Sequence, residues 1–342
     1  MTPTERFTGC LLGCALGDSL LLPAEGLSRA AVARRFAGPL RHRLVGGRGM
    51  ISDDTEHTFL TAQALLAAGD DAGRFARQLA FRLRWWLLAV PAGCGRATAF
   101  GLLRAWCGVP PGRSGIVSAG NGPAMRSAII GLRWAGDADR RRAFVAASTA
   151  ITHRDPRALT AALAVAEAAA WIAQGADEGE LWQAWRRLDA EAGWQGLCDL
   201  MQRLHNDHAP VDALAAALDC PQGVTGYAMH SVPVALYAWL RHRESAEDGL
   251  AAILACGGDT DTVGAIAGAL YGCAGGEQAF PAVWIDGLGD WPISLHRLRA
   301  AAAALARPDG RPVSWAWPLL PLRNAVFLVI VLLHGLRRLS PI

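Results

Sequence analysis

The chain contains no lysine: all 33 of its basic residues are arginine. That absence removes two mechanisms at once, because a Schiff-base amine and a Walker-type phosphate clamp both need a lysine. Paired cysteines are also missing. Cys10, Cys14, Cys94, Cys107, Cys198, Cys220, Cys256 and Cys273 are scattered without a C-x-x-C pair, which reads as small buried residues in a reducing compartment. Cys10 and Cys14 lie one helical turn apart, but no further Cys or His at zinc-finger spacing completes a site. Excess charge of one sign is lacking too. The 33 basic and 30 acidic residues leave a formal charge of only +3, so no domain-sized positive field argues for nucleic acid. The polar residues 1–9 do not form the apolar stretch of a secretory signal, and a cytoplasmic location is expected.

With 342 residues, 52% of them hydrophobic, the chain can bury a large core in one big helical domain or in two smaller ones. Residues 55–68, 158–173 and 212–217 are rich in Ala and Leu at helical spacing, while alternating β-branched runs are scarce, so the expected fold class is all-α. Loops are marked by Gly46-Gly47-Arg48-Gly49, Val109-Pro110-Pro111-Gly112, Gly120-Asn121-Gly122-Pro123 and Cys256-Gly257-Gly258. Gly9, Gly13 and Gly17 repeat every fourth residue, as do Gly264, Gly268 and Gly272. Each set gives one helix a smooth face. The expectation is that these helices pack backbone to backbone and bring Asp18 near Asp259 and Asp261.

Beyond about residue 307 the composition changes. Pro308, Pro312, Pro318 and Pro321 surround tryptophan-bearing or apolar patches, and residues 325–333 carry no charge. Nine residues fall short of the roughly 20 that a membrane span requires. The expected organisation is a main unit over residues 1–306 and a Pro/Trp-rich tail, 307–342, whose short apolar helix docks on the core or a partner, or lies on a membrane surface between Arg323 and the Arg337, Arg338 pair.

Five segments carry chemistry. In Ser52-Asp53-Asp54-Thr55-Glu56 a capping residue precedes a helix with carboxylates in its first turn, which taken alone is ordinary capping. Gly257-Gly258-Asp259-Thr260-Asp261-Thr262 repeats the arrangement after a glycine pair. Together Ser52, Asp53, Asp54, Asp259, Asp261 and Thr262 form an all-oxygen donor set suited to Mg²⁺ or Mn²⁺, with more carboxylates than one such ion usually takes. Two ions sharing Asp261 would use them economically. The loop of Gly120, Asn121 and Gly122, with Pro123 opening a helix that includes Met125, offers free backbone N–H groups to a phosphate, or is simply a turn. His153, in Thr152-His153-Arg154-Asp155-Pro156, is either a structural hydrogen-bonding residue or part of a site. Asp18 follows Gly17, and Glu25 sits seven residues further on beside Pro23 in a loop.

In this order and at these separations the five segments resemble the ADP-ribosylglycohydrolase family, across about residues 5 to 280. The resemblance implies a compact, orthogonal multi-helix fold with a binuclear Mg²⁺ or Mn²⁺ site. By the family motif, Ser52, Asp53, Asp54 and Asp261 would hold one ion, and Asp259, Asp261 and Thr262 the other. The ions would orient ribose hydroxyls and a bridging water, favouring cleavage through an oxocarbenium-like transition state. Gly120 to Met125 would cradle the diphosphate, with Asp18, Asn121 and His153 on the substrate side. Glu25, Asp54 and Asp261 would carry the catalysis, Glu25 as general base or by steering the leaving group. Leu21 stands where the family commonly has glycine, and Ser52 where it has threonine.

The implied activity is hydrolysis of ADP-ribosyl-arginine on proteins, extending to an immunity protein that reverses a toxin's ADP-ribosylation. The competing readings are a hydrolase of serine-linked or small-molecule ADP-ribose conjugates and a non-catalytic protein that occludes an ADP-ribosyltransferase.

Overall fold

A computed structural model describes residues 1–188 and 193–339; the last three residues of the predicted tail lie outside the described residues. The architecture is all-helical, and among the described residues extended backbone pairs only in isolated bridges. Helices Asp53–Ala68, Pro156–Gln174 and Val211–Ala217 cover the three Ala/Leu-rich stretches.

Two helices form the axis of the molecule. The first, Pro3–Leu21, starts in a reciprocal cap between Thr2 and Glu5 with Pro3 at its opening position, which satisfies otherwise orphaned N–H groups. Thr260–Gly275 runs antiparallel to it and is closed by Gly276 at φ 65°. The glycine faces meet as the spacing predicts. A Cβ on Gly9 would lie 2.1 Å from the Gly272 carbonyl oxygen, on Gly13 2.1 Å from that of Gly268, and on Gly17 2.0 Å from that of Gly264. Only backbone fits there. Because the pairing is antiparallel, the C-terminal turn of one helix, with Asp18, lies beside the N-terminal turn of the other, with Asp261. Leu21 is buried and Gly264 accommodates it, since a Cβ there would be 3.0 Å from Leu21 Cδ1. The Leu21 carbonyl accepts a hydrogen bond from Thr260 Oγ1 at 3.0 Å, so the backbone at this position anchors the end of the helix.

The tail differs from the expected short helix. It runs from Leu320 to Leu339, because Arg323 and Asn324, both fully buried, belong to its inward face. Arg323 pairs with Glu56 at 3.1 Å and with Asp290 at 2.5 Å, and it donates to the Ile51 carbonyl at 2.5 Å. The tail is thus bolted to the segment that leads into Ser52.

Candidate active site

The site sits where the two axial helices exchange ends and the Asp53–Ala68 helix begins. Ser52 adopts extended backbone, φ −107° and ψ −165°, and caps that helix by accepting from the Asp54 N–H. Its hydroxyl also donates to Asp54 Oδ2 at 3.2 Å, and Thr262 Oγ1 donates to the same oxygen at 3.2 Å. Residues 208 positions apart therefore converge on one carboxylate.

The glycine pair before Asp259 is stitched on both sides. Gly257 and Gly258 adopt φ 67° and 83°, a region open to glycine at little cost. The Gly258 N–H donates to the Leu27 carbonyl and the Gly26 N–H to the Gly258 carbonyl, each at 2.8 Å. On the other side Val224 donates to Gly257 at 3.0 Å and Asp259 to Val224 at 2.8 Å. A Cβ on Gly258 would strike the Val224 carbonyl oxygen at 1.9 Å. These links hold the Glu25 loop beside the Asp259 loop.

A cleft of about 500 Å³ opens over this junction, lined by Glu25, Asp53, Asp259, Asp261 and Thr262 on the acidic side and by Gly120, Asn121, Gly122, Met125 and His153 on the other. That size suits a small-molecule site. A smaller recess of about 140 Å³ beside it adds Ser52 and is walled by Phe327, Val331, His334 and Arg338 of the tail. Eleven of the thirteen predicted site residues border these two spaces, and Asp54 shares its Oδ2 with two of them, Ser52 and Thr262. Asp18 lies deeper. It was expected on the substrate side, but it is fully buried behind the wall, where its Oδ2 accepts from the Ser52 N–H at 2.8 Å and from the Thr55 N–H and hydroxyl at 3.3 and 2.5 Å. Asp18 is the clamp on the N-terminus of the Asp53 helix.

The glycine loop also differs in detail. Asn121 Nδ2 donates to Asp259 Oδ2 at 2.6 Å, so this side chain faces the acids. The helix it opens is a single turn, Gly122–Met125. The glycines make room for an imidazole: a Cβ on Gly120 would be 2.9 Å from His153 Nε2, and one on Gly122 3.2 Å from His153 Cε1. His153 is held through Nδ1 to Thr152 Oγ1 at 2.9 Å. Burial, with Arg126 beside it, lowers its pKa to about 3, so it is neutral at ordinary pH.

The carboxylates are electrostatically crowded. Burial first, and then their neighbours' charges, hold Asp53, Asp54 and Asp261 well above the usual carboxylate range; burial raises Asp259 against the opposing effect of its hydrogen bonds, that with Asn121 first. Asp18 is pushed up to about 6, chiefly by burial. Glu25 shifts upward as well, through desolvation in the cleft and then the charge of Asp259. Among the described residues no three Asp, Glu, His or Cys side chains converge as a ready-made metal cage; the acids stand around the cleft instead. Yet Asp18 Oδ1, Asp54 Oδ1 and Asp261 Oδ1 are buried without any hydrogen-bond partner. Unpaired buried carboxylate oxygens are costly, and a hard divalent cation is the partner that an all-oxygen donor set fits.

Sequence reasoning missed the tail's part in the site. Arg338 donates to the carbonyls of Glu25, at 2.9 Å, and Pro23, and His334 bonds the Pro23 carbonyl at 3.0 Å. Their only sequence signal was an arginine pair at the end of an apolar run. It also missed Arg126, buried behind the glycine loop, which donates to the Gly122 carbonyl at 3.1 Å, to Ser148 and to Thr152.

The chain is similar to known proteins over most of its length. The model of the ADP-ribosylglycohydrolase family matches residues 1–312. An uncharacterized protein of Archaeoglobus fulgidus is 31% identical over 293 residues, covering 84% of this chain and 92% of that protein. The ADP-ribosyl-[dinitrogen reductase] glycohydrolase of Rhodospirillum rubrum is 25% identical over 310 residues, covering 88% and 96%. The ADP-ribosylhydrolase ARH3 of Gallus gallus is 28% identical over 334 residues, covering 82% and 89%. Among solved structures, an ADP-ribosylglycohydrolase-related protein complex superposes with TM-score 0.70 at 27% identity, over 90% of this chain and 99% of that one.

Proposed function

Because the chain belongs to the ADP-ribosylglycohydrolase family and hydrolyses glycosidic bonds of ADP-ribose conjugates, we propose that its substrate is ADP-ribosyl-arginine on a protein and that it works with two Mg²⁺ or Mn²⁺ ions. The observation that carries this reading is the ring of carboxylates, with orphaned buried oxygens, on one side of a cleft whose other side is a glycine loop and a neutral histidine. Family members act on ADP-ribosylated proteins and depend on metal. The preference for arginine rests on charge: an arginine acceptor leaves as a cationic guanidinium, and Glu25, exposed in the cleft lining and outside the ligand set, carries the complementary sign, whereas a serine hydroxyl gains nothing from it.

In this proposal Ser52, Asp53, Asp54 and Asp261 would hold one ion and Asp259, Asp261 and Thr262 would hold the other. Bound there, the ions would supply Lewis acidity toward the ribose hydroxyls and a water of lowered pKa. The chain's own residues do the remaining work. Ser52 and Thr262 orient Asp54 by their shared hydrogen bonds to Oδ2, and Asn121 orients Asp259. The glycine loop lets backbone approach a diphosphate closely, and neutral His153 offers it a hydrogen bond without a charge. The negative field of the acids favours positive charge developing at the anomeric carbon. Glu25, on its exposed loop, has its carboxyl raised above the usual range by desolvation and then by the charge of Asp259, which makes it a stronger proton acceptor than a free carboxylate.

The test compares ADP-ribose release from an arginine-modified and a serine-modified protein. Release from arginine alone supports the reading. Release from serine moves the acceptor, and binding without release from either would replace catalysis by occlusion. A role in reversing a toxin's modification follows only from the first result.

A further inference from the structure

The tail helix has two faces of opposite character. Its inward face, Leu320, Arg323, Asn324 and Phe327, is buried against the enzyme. Its outward face reads Leu322, Val326, Val329, Leu333 and Leu336, spaced four, three, four and three residues apart. All five are exposed, Leu322 at 59% and Leu336 at 61%. At 1.5 Å per residue this ridge is about 21 Å long, and it carries no polar side chain.

The ridge does not stop at the start of the helix. Trp317 and Leu319 are exposed just before it, and Trp317 lies 6.0 Å from Trp85 between ring centroids. Trp85 meets Trp106 edge-on at 5.4 Å and Phe81 at 6.3 Å. Leu88, Phe100 and Leu103 are also exposed on these two helices, Ala72–Leu88 and Arg96–Trp106. Soluble monomers rarely present a contiguous apolar surface of this extent.

Charge on this face is predominantly of one sign, with exposed Glu25 beside Arg338 as an acid at its edge. The chain has 30 acidic residues, yet none lies in residues 26–52, 72–136 or 310–342, and these three stretches supply the face and its rim. Arg84 sits over the Trp106 ring at 5.1 Å and Arg96 over Phe100 at 5.8 Å. At the other end Arg337 is exposed, and a hydrogen bond of 2.7 Å from Arg35 to the Arg338 carbonyl brings the 26–52 stretch, with exposed Arg34 and Arg41, alongside. The near-neutral total charge conceals this segregation.

We propose that this face docks on an anionic lipid bilayer, with the tail helix parallel to the membrane plane and its ridge in the headgroup and acyl boundary. The chemistry selects this occupant over others. A second copy would set mostly arginine against arginine, and a nucleic acid would meet a ridge without polar groups. Anionic lipid satisfies both features, since acyl chains take the ridge, phosphates take the arginines, and Trp85, Trp106 and Trp317 suit the boundary between them. The helix lies on the membrane and does not cross it, because Arg323 ties it to Glu56 and Asp290, all at 2% exposure. The proposal is independent of the arginine acceptor.

The test floats the full-length protein with vesicles of neutral phosphatidylcholine or of phosphatidylcholine mixed with phosphatidylglycerol. Each arginine near the surface adds about fivefold to affinity, so binding to the anionic vesicles should be at least ~10-fold tighter and fall with salt. The combined variant Leu322→Ser, Val329→Ser, Leu336→Ser should lose flotation while keeping its melting temperature and its turnover of a soluble substrate. Arg41→Glu with Arg337→Glu should weaken only the anionic preference. The proposal is overturned by no flotation of the wild type at low salt, by equal binding to neutral vesicles, or by flotation unchanged in the serine variant. It is also overturned if light scattering without lipid shows a dimer that the serine variant abolishes, or if the bound protein resists alkaline extraction as a spanning helix does.

Discussion

Replacing Arg323 should loosen the tail from the enzyme and expose how much the site depends on it. The guanidinium is 2% exposed and satisfies Glu56, both oxygens of Asp290 and the Ile51 carbonyl. Asp290 in turn accepts from the Ile51 N–H at 2.9 Å, so one cluster joins the tail, the segment before Ser52 and the Asp53 helix. Arg323→Met keeps the volume and removes the charge, leaving two carboxylates buried without their cation. Breaking a buried pair in this way costs about 3–5 kcal/mol, a fall in Tm of about 4–7 °C for a protein of this size. Thermal unfolding followed by circular dichroism reads the total. Hydrogen exchange over residues 320–338 shows whether the tail undocks before the rest unfolds. Adding Glu56→Gln to Arg323→Met should restore part of the loss by removing one stranded charge. If Arg323→Met melts within about 1 °C of the wild type with tail amides equally protected, the cluster does not hold the tail and the reasoning fails.

Three further outcomes follow from the same geometry. Asp261→Asn removes a buried, repelled charge, so its metal-free Tm should equal or exceed that of the wild type, while the rise in Tm that Mg²⁺ or Mn²⁺ gives the wild type should disappear; a lowered metal-free Tm would contradict the electrostatic account. Gly13→Leu drives a side chain into the Gly268 carbonyl oxygen, 2.1 Å from the ideal Cβ, and should cost more than about 4 kcal/mol or abolish soluble expression; near-native melting would show that the axial helices can separate. His153, with its folded pKa lowered to about 3 and burial as the main cause, is held neutral, so its contribution to stability is full above the unfolded histidine pKa near 6.5. That contribution is lost as pH falls, by up to about 1.4 kcal/mol per pH unit. Denaturant midpoints from pH 7 to pH 4 should fall less steeply for His153→Gln, and equal slopes would refute the assignment.

What the sequence made legible was local or periodic. The four-residue glycine spacing predicted two smooth helix faces because nothing but a facing backbone explains it, and the faces meet residue for residue. Ser52-Asp53-Asp54 and Gly257 to Thr262 were legible because a cap, a tight turn and clustered acids leave signals within a few positions. Asp18 was misplaced because its partners, Ser52 and Thr55, lie more than 30 residues away, and a lone aspartate looks the same whether it clamps a helix or faces a substrate. The tail was harder still. Arg323 reaches Glu56 across 267 positions, so it read as a polar boundary of an apolar run, while the structure makes it the interior bolt that lengthens the helix. The even overall charge likewise hid arginine-only stretches that only the fold brings to one face.

The measurement that bears most directly on the central claim follows ADP-ribose release from an arginine-modified protein during removal and return of metal. Release should stop when a chelator is added, resume with Mg²⁺ or Mn²⁺ in excess, and be absent under both conditions in Asp261→Asn. Release that continues in chelator, or that survives in Asp261→Asn, would contradict the account, because the acid ring around the cleft would then not be a metal centre for this chemistry.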